Sequence, residues 1–330
     1  MNKIMFTILR VLDKYQDPLG SKELAKQLLT YGIDLSERTV RYYLKLLDEK
    51  GFTLVKGKKG RVITEKGREE LNHAFVSERV NFIISKIDSL SYLTDFNVDA
   101  QKGNIILNIS FFPEKKAKDA LRVMAPVFSS IYVISNRVKI ARGGERIGDI
   151  VVPEGYTGIG TICSITLNGI FLKSGIPITS RYGGVIEIID GKPLRFTSLI
   201  SYEGSSIDPL EIFIKSKMTD VLGAVRVSTG KILASFREIP IVSLDEAQNL
   251  TKKLSTKGFN GIFIYGKPNQ PLLDIPVGVD KVGMIVVGGL NPIAAVEESG
   301  IYTESMAMST LFEFSKLQSF NEALSFFIFQ

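Results

Sequence analysis

The stretch LSERTVRYYLKLLDEKGF, residues 35–52, decides how the first quarter of the chain folds. Ser36 is placed to cap a helix that Gly51 closes, and Val40, Tyr43, Leu44 and Leu47 recur at helical spacing as its inward face. Arg38, Arg41, Tyr42 and Lys45 are then left on the outer face. Upstream, Ile4, Ile8, Val11 and Leu12 form one apolar stripe. After the Asp17-Pro18-Leu19-Gly20 turn, Ser21 is expected to cap a helix carrying Leu24, Ala25, Leu28 and Leu29. Downstream, two β-prone runs, Phe52–Val55 and Arg61–Thr64, flank the tip Gly57-Lys58-Lys59-Gly60. Three helices and a basic hairpin form the order of a winged helix-turn-helix, whose third helix enters the DNA major groove while the wing touches backbone. Arg38, Thr39 or Tyr42 is expected to reach base edges, and Arg41, Lys45, Lys56, Lys58, Lys59 and Arg61 to contact phosphates. The competing readings are a solvated helix face and a winged helix used for protein contacts.

Charge supports the DNA reading. Residues 1–75 carry 15 Lys+Arg against 10 Asp+Glu, a net of +5 out of +6 for the whole chain. At 330 residues two or three domains are expected, and 45% apolar with 23% charged residues is the balance of a globular protein. No apolar run approaches the ~18–20 residues a membrane span needs. Cys163 and His73 are the only residues of their kinds, which excludes an internal disulfide and leaves almost no basis for a Cys/His zinc site. A reducing cytoplasmic setting is expected.

From Thr64 to about Leu93 the pattern remains helical through Leu71, Phe75, Val80, Ile83, Ile84, Ile87 and Leu90, as a linker or a dimer seam. Beyond it the chain repeats itself. VPEGYTGIGTICSITLNGI from Val152 matches IPVGVDKVGMIVVGGLNPI from Ile275 at an offset of 123, and GNIILNISFFP from Gly103 resembles GKILASFREIP from Gly230 at 127. The expected division is a winged helix over 1–76, a helical linker over 77–94 and an internally duplicated domain over 95–330, with halves of about 95–220 and 221–330. The fold class is α/β or α+β, two related α/β halves following the winged helix.

A cleft between or within such halves suits a small ligand. The segment Gly158-Ile159-Gly160-Thr161-Ile162-Cys163-Ser164 reads as a strand feeding a helix, a corner that can offer N–H groups to an anion. Thr179-Ser180-Arg181-Tyr182-Gly183-Gly184 sets an arginine among small and hydroxyl residues, which suits a small dicarboxylate. Thr161, Cys163, Ser164, Arg181, Tyr182 and Gly183 are the candidate ligand residues. The second copy has Val286-Val287-Gly288-Gly289 and Met306 in corresponding places, so the first copy is the better candidate. Neither GxGxxG nor GxxxxGK[ST] occurs in these loops. Glu187, Glu203 and Asp208 keep an enzymatic reading open, though no metal or nucleophile constellation supports it.

The phrases PLGSKELAKQLLTYGIDLSERTVRYYLKLLDEKGF, VPEGYTGIGTICSITLNGIFLKSGIPITSRYGGVIEI, SYEGSSIDPLEIFI and GLNPIAAVEESGI together resemble the archaeal nitrogen regulatory protein family NrpR, over essentially the whole chain. The resemblance implies a dimeric, non-enzymatic repressor of nitrogen-assimilation genes. It implies that operator DNA is released when 2-oxoglutarate binds the effector domain, with no resident cofactor. Some members carry two effector domains in tandem and this chain one, so either a homodimer or a separate effector-domain partner chain is expected.

Overall fold

The structure, a computed structural model, describes residues 3–15, 17–73 and 82–329. The chain forms two compact units, Met1–Glu78 and Arg79–Gln330. In the first, α1 (Lys3–Lys14), α2 (Ser21–Leu29) and α3 (Glu37–Glu49) close over Ile8, Leu12, Leu24, Leu28, Val40, Leu44 and Leu47, all buried. The strands β1 (Thr53–Val55) and β2 (Arg61–Ile63) pair antiparallel as a wing, with a 3-10 turn over Gly57–Lys59, and α4 (Glu65–His73) follows. β2 also meets the turn before α2, where Leu19 and Arg61 exchange backbone hydrogen bonds of 3.0 Å. Gly60 makes that approach possible: its φ is +123°, and a Cβ there would stand 2.2 Å from the Leu19 carbonyl oxygen.

Two local expectations fail. Ser21 is the first helical residue rather than the cap, and its hydroxyl donates to Glu37 of α3 at 2.9 Å. Leu29 is exposed, because the helix turns it past the edge of the core. Phe75 and Val80 lie outside the described residues, as do the side chains of Lys58 and His73.

The second unit begins with α5 (Phe82–Leu93), which corrects the reading of 77–94 as a linker. Ile83 and Ile87, one turn apart, are buried among Ile106, Cys163, Ile165, Tyr202 and Met308. Of the apolar stripe that left a linker or a dimer seam open, Ile83, Ile84, Ile87 and Leu90 pack against the chain's own effector unit. Next come β3 (Asn104–Pro113), α6 (Ala117–Phe128), β4 (Arg137–Arg142), the small pair β5 (Arg146–Ile147) and β6 (Ile150–Val151), and β7 (Tyr156–Ile162). Then α7 (Ile165–Lys173), β8 (Thr179–Ile189), β9 (Lys192–Ser201), α8 (Pro209–Lys215) and α9 (Val221–Val227) complete the first half. The second half repeats the plan with β10 (Gly230–Pro240), α10 (Leu244–Thr256), β11 (Ile262–Tyr265), β12 (Lys281–Val287), α11 (Asn291–Glu298) and β13 (Glu304–Glu313). It closes with β14 (Gln318–Ser319) and α12 (Phe320–Phe329).

The two five-stranded sheets run β13-β3-β7-β4-β14 and β11-β12-β10-β8-β9, antiparallel at every pairing. The last strand of each repeat is exchanged: β8 pairs with β10 of the second half, and β13 with β3 of the first. The halves at about 95–220 and 221–330 are therefore not separable bodies, and one hydrophobic core runs through both. Pairing register also corrects the alignment of the copies. Ser110 faces Ile159 and Arg237 faces Met284, so first strands 127 apart bring β7 and β12 into register at 125, not 123. The difference is taken up by the corner after β7, which is two residues longer in the first half.

Candidate functional site: a basic helix face and an arginine-lined cleft

The Ser36 hydroxyl accepts from the Thr39 N–H at 3.2 Å and starts α3 where its sequence indicates. Arg38, Arg41, Tyr42 and Lys45 then face solvent, with Tyr42 60% exposed, and Thr39 is half-buried beside the cap. Arg41 pairs with Glu37 at 3.0 Å and Lys45 with Glu49 at 3.9 Å. Exposed pairs of this kind contribute roughly 0–1 kcal/mol, so a phosphate can displace them. On the wing, Lys56 and Lys59 are exposed. Arg61 differs from the sequence expectation: it is mostly buried and its Nε donates to Asp48 of α3 at 2.8 Å. It fastens the wing to the third helix instead of extending toward a partner.

In the second unit, an open cleft of about 350 Å³ is lined by Ile84 of α5, Thr179, Ser180, Arg181, Tyr182, Ser201 and Glu203. Two of the six expected ligand residues line it. Arg181 is the extra residue of a β-bulge: Tyr182 faces Phe236 and Ser180 faces Arg237, so Arg181 has no opposite number. The bulge aims its side chain outward, 44% exposed, where it meets Glu238 at 3.6 Å. Cys163 and Ser164 instead line a cavity of about 10 Å³ with Asn108, Tyr202 and Asp208, room for a single water. Thr161 is buried and donates to the Gly289 carbonyl at 3.0 Å. Gly183 is packed inward, where a Cβ would lie 2.8 Å from Pro209 and 3.2 Å from the Tyr202 hydroxyl. Gly158 and Gly160 are mid-strand packing positions paired on both sides, not free N–H donors at a corner.

Between cleft and cavity runs a buried polar network. Arg237 of β10 is fully buried. It donates to the Ser164 hydroxyl at 2.7 Å, the Ser164 carbonyl at 3.0 Å, the Ser235 hydroxyl at 3.1 Å and the Asn168 side-chain oxygen. Asn168 in turn donates to the Ser180 hydroxyl at 3.0 Å, on the wall of the cleft. Burial lowers the Arg237 guanidinium to about 10, still charged at neutral pH. Burial also raises Asp208 and pushes Cys163 up to about 12. Lys86 of α5 reaches the Ala307 carbonyl at 3.1 Å and faces Glu211 and Asp208.

Residues 80–319 match the family model for the NrpR regulatory domains NRD1 and 2. The chain belongs to the NrpR family. It is 37% identical over 314 residues to the global nitrogen regulator NrpRI of Methanosarcina mazei, covering 95% of this chain and 97% of that one. It is also 33% identical to the global nitrogen regulator NrpR of Methanococcus maripaludis and 34% to that of Methanocaldococcus jannaschii, and spans 54% and 55% of their lengths. Residues 6–71 match the ribonuclease R winged-helix domain. The crystal structure of a nitrogen repressor-like protein from Methanococcus jannaschii superposes with a TM-score of 0.61 at 32% identity, over 72% of this chain and 98% of that one. As an NrpR family member the chain is a nitrogen-related regulator with a winged-helix domain, and the named relatives are regulators, not enzymes. Among the described residues no helix is long and apolar enough to cross a membrane.

The sequence reading of this NrpR chain missed Arg237, Asn168 and Lys86, and it placed Ser180 in the arginine segment without naming it as a ligand residue. The available signal was Arg237 itself, a charged residue inside the apolar strand ILASFREIP. Its partners Asn168 and Ser164 lie 69 and 73 positions away and no local pattern connects them.

Proposed function

We infer that the chain is a repressor of nitrogen-assimilation genes that binds operator DNA through α3 and the wing and is released from it by 2-oxoglutarate. The reading rests on one pairing of features: a solvent-facing Arg38, Arg41, Tyr42 and Lys45 row in one unit, and the Arg181 cleft in the other. A five-carbon dicarboxylate fits about 350 Å³, and one carboxylate can take Arg181 from Oε2 of Glu238, whose other oxygen keeps the Gly278 N–H at 2.8 Å. Ser180 and Ser201 supply hydroxyl donors to the rest of the ligand. The repressor acts as a homodimer on two half-sites, or with a separate effector-domain chain. Release requires that ligand bind more tightly to an arrangement that cannot place the recognition helices on the operator.

Replacing Arg41 and Lys45 together with Ala is expected to weaken operator binding and flatten its salt dependence by about two charges. Unchanged affinity in a salt-titrated gel shift removes them from the interface. Arg181→Ala is expected to keep operator binding and lose release by 2-oxoglutarate; retained release removes the cleft. Glu203 on the same wall favours a second reading, an amino acid whose ammonium pairs with it. Release by glutamate or glutamine in place of 2-oxoglutarate selects that reading.

A further inference from the structure

We propose that the buried Arg237 is the positioning cation of the effector cleft, making it selective for dianions by orienting Ser180 through Asn168; the proposal rests on reading that cleft as the effector site. A fully buried guanidinium ordinarily has a carboxylate partner, since an isolated buried charge is costly. The hydrogen bonds of Arg237 go instead to Ser164, Ser235 and Asn168, all neutral. Its carboxylate neighbour in sequence, Glu238, points elsewhere, to Arg181 and the Gly278 N–H. Among the described residues no carboxylate pairs with this guanidinium, which lies behind the cleft, one Asn168 side chain away from Ser180.

The duplicated fold supplies an internal control. Arg237 faces Ser180 across β10 and β8, and the corresponding residues of the other copy, Ser110 and Ser305, face each other across β3 and β13. There the two hydroxyls simply bond at 2.9 Å. The next residue is Met306 where the cleft has Arg181. Asn291, the counterpart of Asn168, spends its side chain on the backbone of Leu233 and Tyr132. At this position the strand pairing thus holds with a serine in place of the arginine, so pairing of these strands does not demand Arg237. The strand pair that carries it, β8 with β10, also carries a second arginine, Arg181, on the open cleft.

The test is calorimetric titration of 2-oxoglutarate into the full chain carrying Arg237→Gln, Arg237→Lys or Ser180→Ala, with operator binding in the absence of ligand as the check on folding. Loss of one charge-assisted contact corresponds to about a tenfold change in affinity. Arg237→Gln and Ser180→Ala are each expected to weaken 2-oxoglutarate by about that factor, with operator affinity unchanged. Arg237→Lys, which keeps the charge, is expected to fall between Gln and wild type. If the Arg237 variants do not fold, Ser180→Ala decides. Wild-type affinity in Arg237→Gln or Ser180→Ala overturns the proposal, and so does equal loss in the Lys and Gln variants. If the unsubstituted protein does not bind 2-oxoglutarate, the cleft reading itself falls and the role of Arg237 with it.

Discussion

Glu211 sits on α8 with its carboxylate accepting the Ala307 N–H, and burial raises it from an ordinary 4.5 to about 7. Asp208 adds to the rise, while the Ala307 N–H, Lys86 and Lys215 oppose it. Between these two pH values the folded chain holds a proton that the unfolded chain has released. The contribution of Glu211 to stability is therefore complete below pH 4.5 and is lost as pH rises through about 7. Glu211→Gln is expected to flatten the stability profile over this window, by on the order of 2 kcal/mol, measurable by urea titration at pH 5 and pH 7.5. A profile identical to wild type contradicts the assignment. Cys163 follows from the same physics: buried and raised to about 12, it should resist a thiol reagent at pH 7.5 until the chain unfolds. Reaction at the rate of a free thiol in the native protein contradicts that. At this scale the sequence reading was partial. The outward face of α3 was legible because periodicity and a capping serine fix it. The interior network was not, because Arg237 gains its partners only when β10 of one half meets the β7–α7 corner of the other.

Among the elements, the wing depends on a single backbone approach. Gly60→Ala forces a Cβ against the Leu19 carbonyl at 2.2 Å, in a conformation that side chains rarely adopt. It is expected to destabilise the first unit by more than ~2 kcal/mol and to lower operator affinity with it, as read by thermal melting and fluorescence anisotropy. Unchanged melting contradicts the three-way contact of β1, β2 and the Leu19 turn. The hairpin was visible in sequence from its Gly-Lys-Lys-Gly tip, but the Leu19 bridge and the Arg61–Asp48 pin were not. The helix over residues 82–93 was legible as a helix, while its destination was not. An apolar stripe says that something covers it, and here the cover comes from both halves, Ile106, Cys163 and Ile165 of the first and Met308 of the second.

For the whole molecule, the exchanged strands carry the main consequence. Cutting the chain near residue 220 leaves β8 without β10 and β3 without β13. The fragments 95–220 and 221–330 are expected to remain unfolded alone and to recover structure when mixed, by circular dichroism. An independently folded 95–220 fragment contradicts the shared core. The duplication itself could be read from repeated Pro, Gly and Asn positions, but strand exchange leaves no mark on the local pattern, since either partner would accept the same alternation. That exchange is also why Arg237 of one half can stand behind the cleft of the other. Operator-DNA binding measured by fluorescence anisotropy, with 2-oxoglutarate titrated in and glutamate as the control, tests the coupling of the two units most directly. Tight binding lost with 2-oxoglutarate and kept with glutamate is the expected result. Tight binding that neither compound alters would contradict the sensor-repressor reading while leaving the DNA-binding face in place.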